Sequence, residues 1–185
     1  MGRLTDSVPG PEDVHTGGFA DVEDAEDPAQ PAVDPQVAGW REWISLPGLD
    51  VAWIKAKLDT GARTSSLHAW DIEEFERDGE AWLRYTVLPW QASDEDQLRL
   101  ESPLHDQRAV RSSSGHAEER HVVTMEIRLL DRVVTAEVTL TNRDDMGFRM
   151  LVGREALRRG YLVDSSRSYL GPRPPLALRR RNRGR

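Results

Sequence analysis

The stretch Leu58-Asp59-Thr60-Gly61-Ala62 ends an alternating run of residues that begins at position 51. In a strand, this alternation places Asp59 on the same face as Lys55 and Lys57, opposite an apolar face. A carboxylate followed by a hydroxyl residue, a glycine and a small residue suits a strand that turns sharply and presents an acid in a cleft. Taken alone, Asp-Thr-Gly also fits an ordinary Asx-turn, so its meaning depends on the rest of the chain.

A second segment late in the chain reads Met150-Leu151-Val152-Gly153-Arg154-Glu155-Ala156-Leu157. Its apolar part predicts a strand, and the residues after the Gly-Arg turn predict a short helix over residues 154–159, closed by Gly160. The rest of the ordered chain is expected to support these two segments.

Short alternating runs separated by turn signals fill residues 40–170. They predict strands over residues 40–46, 51–58, 64–70, 81–88, 98–104, 122–129, 133–140 and 148–152, with further short strands at 162–163 and 168–170. The charged residues 71–79 are expected to form a loop. Many short strands and one short late helix are typical of an all-β protein with a small closed β-barrel and a C-terminal helix.

The two ends of the chain differ from its middle. Residues 1–37 are rich in acidic residues and proline, with Arg3 as their only arginine or lysine, and residues 172–185 are basic after a proline-rich hinge. Such compositions are typical of disordered segments. We therefore predict a disordered acidic tail (1–37), one ordered domain (38–171) and a disordered basic tail (172–185).

Composition also excludes several classes of protein. The chain has no cysteine, so disulfides, thiol nucleophiles and cysteine metal sites are excluded. No apolar run has the length of a signal peptide or a membrane span, and we expect a cytoplasmic protein without a membrane segment. The net charge of −7 argues against nucleic acid as the main partner.

Together, the two segments resemble the paired signatures of retropepsin-like aspartic proteases: a hydrophobic-Asp-Thr/Ser-Gly-Ala turn and a late hydrophobic pair followed by Gly-Arg. The wider stretch 55–69, with Trp40-Arg41-Glu42-Trp43 and Val163-Asp164-Ser165-Ser166-Arg167-Ser168-Tyr169, resembles a bacterial retropepsin-like group named ATP-dependent zinc proteases. Members of that group are often associated with ATP-grasp ligases that add glutamate to ribosomal-protein tails. The resemblance spans residues 38–171 and implies an acid-protease β-barrel.

The resemblance implies an aspartic endopeptidase in which two carboxylates share one proton. Because the motif occurs once, the site needs a C2 homodimer with one Asp59 from each subunit. Thr60 would hydrogen-bond across the dimer, Gly61 would allow close backbone approach, and Ala62 would keep the floor of the cleft small. The expected substrate is a peptide or an acidic protein tail, with an ATP-grasp ligase as a possible partner.

The family also carries a flap, which is a hairpin that closes over the substrate. The best candidate is residues 110–123, with a tip near residues 112–116 that would bring Ser114 and Gly115 to the substrate. An ordinary solvated hairpin is the alternative.

One position departs from the retroviral pattern, in which an acidic residue four places after the catalytic Asp pairs with the arginine of the Gly-Arg segment. Here that position is Arg63, so Arg154 needs another partner, and Glu42, Glu155 and Asp164 are the candidates. Arg63, Lys57 and Arg154 could instead make the cleft basic, which would suit a glutamate tail. The alternative is that these cations are structural or solvated.

Zinc catalysis has little support. None of the five histidines forms a His-Glu-x-x-His motif. His105 could meet His116 or His121 across a hairpin, but the sequence specifies no carboxylate to complete a zinc site with them. We therefore predict no metal ligands and no cofactor. A non-catalytic binding module, or an accessory protein of a glutamate ligase that uses the same cleft, remains the alternative function.

Overall fold

The structure is a computed structural model that describes residues 34–181, apart from positions 92, 94, 112–116 and 143–146. Strands dominate the described residues. The elements are β1 (Gln36–Gly39), β2 (Arg41–Leu46), a 3₁₀ turn (Pro47–Leu49), β3 (Val51–Asp59), β4 (Ser65–Arg77), β5 (Glu80–Val87), β6 (Leu98–Pro103), β7 (Asp106–Arg111), β8 (Ala117–Leu129), β9 (Arg132–Thr141), β10 (Met150–Gly153), α1 (Arg154–Leu157), β11 (Tyr161–Asp164) and α2 (Leu176–Arg181).

Six strands close into a barrel in the order β10-β3-β2-β8-β9-β4, because β10 pairs with both β3 and β4. The β10–β3 and β4–β9 pairs are parallel and the other pairs in the ring are antiparallel. Strands β5 and β6 extend the sheet from β4, β7 pairs with β8, and β1 pairs with β11 in a separate parallel pair. The predicted all-β closed barrel is confirmed.

Alternation along the strands builds the core, as the sequence pattern predicts. On β2 and β3 the inward rows are buried and the outward rows are half-buried or exposed, up to the half-buried Asp59. The largest fully buried apolar side chains come from strands all round the barrel and include Ile44, Ile54, Leu67, Ile127 and Leu140. Their burial holds the strand that carries Asp59 against the barrel.

Three segments differ from expectation. Residues 71–77 continue β4 instead of forming a loop, because residues 73–77 pair in antiparallel register with residues 80–84 of β5 across a tight turn at Asp78 and Gly79, which both have positive φ. The segment 168–170 is not a strand, because Tyr169 adopts a positive φ of 57°. Helix α1 ends at Leu157, earlier than predicted. No helix in the described part of the chain has the length and apolar character needed to cross a membrane.

Candidate active site

Asp59 lies at the last position of β3, where the chain turns. Its Oδ1 accepts hydrogen bonds from the backbone N–H groups of Gly61 and Ala62, both at 3.1 Å. Its Oδ2 accepts a hydrogen bond from Lys57 Nζ at 3.0 Å. The carboxylate therefore has a fixed orientation, and its side chain keeps 25% of its surface exposed at the end of the strand.

The surroundings of Asp59 act on its pKa in opposite directions. Burial raises the pKa, whereas the hydrogen bond from Lys57 and those from the Ala62 and Gly61 N–H groups lower it, and the net result lies below the usual 3.8. In this chain the group is thus an ionised carboxylate at neutral pH. A shared proton would require a second carboxylate close by.

The second signature segment holds the turn in place. Gly153 of β10 is in parallel register with Asp59, and the Arg154 N–H donates to the Ala62 carbonyl at 2.8 Å. The Gly153 N–H donates to the buried Ser65 Oγ at 3.1 Å. The structure therefore brings together the two segments that the sequence singled out.

Gly153 lies so close to the chain after the turn that no side chain fits there. A Cβ at this position would stand 2.4 Å from the Thr64 carbonyl oxygen and 2.9 Å from the Arg63 carbonyl oxygen. By contrast, a Cβ at Gly61 would meet only Asp59 Oδ1, at 3.4 Å, which is an ordinary contact. Contacts among the described residues thus explain the glycine at 153 but not the glycine at 61.

An ion pair also links the turn to α1, with the charges placed opposite to the retroviral pattern. Arg63 Nε lies 2.6 Å from Glu155 Oε1, and this contact raises the pKa of the Arg63 guanidinium. The other proposed partners of Arg154 are engaged elsewhere: Glu42 binds backbone N–H groups and Asp164 binds Ser166. The Arg154 side chain is exposed, and no carboxylate among the described residues pairs with it.

The charges of the predicted basic cleft are therefore partly compensated. Lys57 is paired with Asp59 and Arg63 with Glu155, which leaves Arg154 as the one of the three without a carboxylate partner among the described residues. Thr60 is exposed and available for a contact with another molecule, and Ala62 is half-buried.

The predicted flap corresponds to the hairpin of β7 and β8, which pair from Asp106 with Val122 to Arg111 with Ala117. The predicted tip, including Ser114 and Gly115, lies outside the described residues. Its role as a flap and the substrate contacts of those two residues stay predictions.

The histidines do not form a metal site in the described part of the chain. His105 Nε2 lies 3.2 Å from Glu137 Oε1, and His121 Nε2 lies 2.7 Å from Glu74 Oε1. Each has one carboxylate partner, and no cluster of three metal-ligating side chains exists among the residues described. His116 lies outside that part of the chain.

Glu42 has a role that differs from the predicted one, a partner for Arg154. In the structure Glu42 is fully buried, and its carboxylate accepts the N–H groups of Gly39 (2.8 Å), Leu170 (2.8 Å) and Gly171 (3.2 Å). The burial of Glu42 could have been predicted, because the alternation of β2 places this residue on the inward face between apolar residues. An inward carboxylate predicts a buried group that is hydrogen-bonded.

Comparison with known proteins agrees with this geometry. A family model for RimB-like proteins, described as retropepsin-like aspartic endopeptidase RimB, matches residues 37–174. The chain belongs to this RimB-like family. The resemblance to retropepsin-like proteases inferred from the two segments is thereby confirmed.

Curated relatives carry a different name. A "Probable alpha-L-glutamate ligase" of Shewanella pealeana is 47% identical over 133 residues, which are 72% of this chain and 29% of that protein. A protein of the same name from Parasynechococcus marenigrum is 47% identical over 133 residues, 72% of this chain and 28% of that protein. The chain thus spans less than a third of the length of these relatives.

A solved structure shares the fold. The crystal structure of Lpg0085, a protein of unknown function (DUF785) from Legionella pneumophila, matches with a TM-score of 0.62 and 31% sequence identity. The match covers 72% of this chain and 96% of that chain.

Proposed function

We propose that the protein is a retropepsin-like aspartic peptide hydrolase whose catalytic centre is a pair of Asp59 carboxylates, one from each subunit of a homodimer. The observation that carries this proposal is the orientation of Asp59 by two backbone N–H groups, in a turn held by Gly153 and Arg154. The family supports the same reaction class. The proposed catalytic domain is residues 38–171.

The chemistry follows from two carboxylates that share one proton. Like charges at short range force their pKa values apart, so one Asp59 is ionised and the other keeps its proton. The ionised carboxylate removes a proton from water, whose oxygen attacks the peptide carbonyl carbon, while the protonated carboxyl donates its proton to the carbonyl oxygen. Collapse of the tetrahedral intermediate breaks the C–N bond, and the amine leaves with a proton from the dyad.

The two-fold arrangement also assigns roles to the neighbours of Asp59. Thr60 of one subunit would hydrogen-bond to its partner's backbone beneath the acids, which fits its exposure in the single subunit. Lys57, whose Nζ lies 3.0 Å from Asp59 Oδ2, would stand beside the pair of carboxyl groups and the bound substrate. Gly61 would then be required by the approach of the other subunit, since among the described residues a Cβ there would contact only Asp59 Oδ1, at 3.4 Å.

The proposed substrate is an acidic protein tail, such as a chain of glutamates. Lys57, Arg63 and Arg154 next to the cleft favour carboxylate side chains. The name of the relatives, alpha-L-glutamate ligase, fits a protein that works on the product of such a ligase, and we propose an ATP-grasp ligase as a functional partner.

The test is replacement of Asp59 by Asn, which keeps the shape and removes the charge. We expect hydrolysis of oligoglutamate-tailed peptides to fall by at least about a thousandfold, because neither half of the dyad can then ionise. Asp50→Asn, the same change in an exposed turn, is the control and should leave activity unchanged. Unchanged hydrolysis in Asp59→Asn, or full activity in a monomer, would refute the mechanism, and loss of activity with a chelator alone would favour zinc.

The second candidate is a non-catalytic binding module that presents the same cleft to an acidic tail or a ligase. The observation that favours it is the satisfied pairing of Asp59 with Lys57 and the lowered pKa of that carboxyl in the single subunit. A wild-type protein that binds oligoglutamate and releases no amine over hours would support this candidate over the hydrolase.

A further inference from the structure

The outward face of β2 and β3 carries a row of cations that leads to Asp59. Along β3, Lys55, Lys57 and Asp59 occupy alternate positions on this face, and the two lysines are the only lysines of the chain. In the antiparallel register of the pair, Arg41 lies opposite Lys57 and Trp43 lies opposite Lys55. Asp59 compensates the charge of Lys57, whereas Arg41, directly opposite, has no such carboxylate partner among the described residues.

Aromatic rings, rather than carboxylates, hold Arg41. Its guanidinium carbon lies 4.6 Å from the centre of the Trp40 ring and 5.0 Å from that of Tyr169. No described carboxylate pairs with it, and its buried Nε has no acceptor among the described residues. Lys55 Nζ lies 5.4 Å from the Trp43 ring, which itself stacks on Tyr169 at 6.3 Å. A cation on a ring face keeps much of its field outward, where it attracts anions.

Tyr169 is held in this cluster against a backbone preference. Its φ of 57° lies in the left-handed region, which is unfavourable for an aromatic residue. The surrounding contacts impose it: the Tyr169 N–H donates to the Arg41 carbonyl at 2.9 Å, and Arg173 donates to the Tyr169 carbonyl at 2.6 Å. The next two N–H groups bind the buried carboxylate of Glu42. The ring is thus positioned by a dedicated set of hydrogen bonds.

We propose that this face, made of Arg41, Lys55 and Lys57 framed by Trp43 and Tyr169, binds a carboxylate-rich polypeptide segment that extends from the cleft. We call it the cationic strip. The inference rests on the proposed function, since it treats Asp59 as the centre of the cleft. It extends the proposed cleft from Lys57 to Lys55 and Arg41, which lie outside the catalytic turn.

The spacing of the strip fits an extended acidic chain. Same-face side chains recur about every 7 Å along a strand, and an extended polypeptide presents its own side chains at that interval. Successive glutamates on one side of the bound chain would therefore align with Lys57 and Lys55 in turn. Arg41, in the neighbouring strand, would lie beside the first of them.

The experiment uses the full chain with Asp59→Asn, so that no peptide is consumed. Binding of a ten-residue glutamate peptide is measured by calorimetry against a glutamine peptide of equal length. We expect the glutamate peptide to bind at least about tenfold more tightly, with a difference that shrinks as salt rises. Lys55→Gln and Arg41→Gln should each weaken its binding about three- to fivefold, as expected for partly exposed ion pairs.

Arg159→Gln is the matched control, because Arg159 is exposed and lies beyond α1. It should leave binding unchanged. If Arg41→Gln fails to fold, Lys55→Gln decides alone, since the Lys55 side chain is only half-buried. Equal binding of the two peptides, or equal effects of Lys55→Gln and Arg159→Gln, would overturn the proposal that the cationic strip binds acidic peptides.

Kinetics separate this inference from the proposed function. In protein with Asp59 intact, Lys55→Gln should raise KM about three- to fivefold for a long acidic peptide and leave kcat unchanged, because it removes binding shared by ground and transition states. Tight peptide binding without any hydrolysis would refute the proposed hydrolase activity and leave peptide binding by the cationic strip standing. Hydrolysis with the same KM in wild type and Lys55→Gln would refute substrate binding by the cationic strip and leave the proposed hydrolase activity standing.

Discussion

Replacing Gly153 by Ala tests whether close approach of two backbone segments builds the site. The new Cβ would lie 2.4 Å from the Thr64 carbonyl oxygen, 2.5 Å from the Thr64 carbonyl carbon and 2.9 Å from the Arg63 carbonyl oxygen. Favourable carbon contacts lie at about 3.5–4.0 Å, so main chain must move by about 1 Å. No side-chain rotation can relieve the clash, because all three atoms belong to the backbone.

Overpacking of a well-packed region costs about 1–3 kcal/mol, and a clash with main chain belongs at the upper end. We expect Gly153→Ala to lower the free energy of unfolding by about 3 kcal/mol, which corresponds to a fall in Tm of about 6–12 °C. Urea unfolding followed by tryptophan fluorescence measures the first quantity, and a thermal melt measures the second. Hydrolysis should fall as well, because the Arg154 N–H to Ala62 carbonyl bond would shift with β10.

The control is Gly48→Ala, since a Cβ at Gly48 would meet nothing within 4 Å. Its effect on stability should stay below about 0.5 kcal/mol. If the unfolding midpoints of Gly153→Ala and Gly48→Ala agree within error, the close approach at Gly153 is not what requires the glycine, and the reasoning is refuted.

Two further predictions concern carboxylates. Glu42→Gln should destabilise the protein by about 1–3 kcal/mol in urea unfolding, because an amide NH₂ then faces a backbone N–H that had a charged acceptor. For Asp59 the folded pKa lies below the unfolded value of 3.8, so its stabilising contribution is complete above that pH and is lost as pH falls through the folded pKa. The difference in unfolding free energy between wild type and Asp59→Asn should therefore shrink between about pH 5 and pH 2.

Each of these has its own control. Glu126→Gln makes the same chemical change on the exposed face of β8 and should be neutral, so an equal loss in both variants would contradict the role of Glu42. For Asp59, a wild-type advantage that is as large at about pH 2 as at about pH 6 would show that the lowered pKa has no share in stability.

Much of the fold could be predicted because it depends on short-range patterns. Alternation on β2 and β3 places apolar residues inward whatever the partner strands are, since burial of one face is what stabilises a barrel strand. The turn at Asp59 and the Gly-Arg segment are also local signals. At residues 71–77 the prediction of a loop was wrong because a charged run can also pair as one strand of a hairpin, and residues 73–77 pair with residues 80–84.

Other features of the site depended on contacts that no local pattern specifies. The position of Arg63 showed that the retroviral ion pair was absent, but only the structure showed that Glu155, next to Arg154, takes the acidic role. Tyr169 lies in a stretch that reads as a strand, yet its hydrogen bonds to Arg41 and its neighbours' bonds to Glu42 impose a left-handed conformation. Their partners are more than a hundred residues away in sequence.

By itself, the sequence determined that this chain forms a barrel of short strands with one Asp-Thr-Gly turn, because side-chain alternation and turn chemistry act within a few residues. Only the tertiary structure decided that β10 lies beside β3, that Gly153 has no room for a side chain, and that Arg41 lies opposite Lys57. These outcomes depend on how segments far apart in the chain pack together. The competition between burial, hydrogen bonding and charge repulsion settles that packing only when the whole barrel closes.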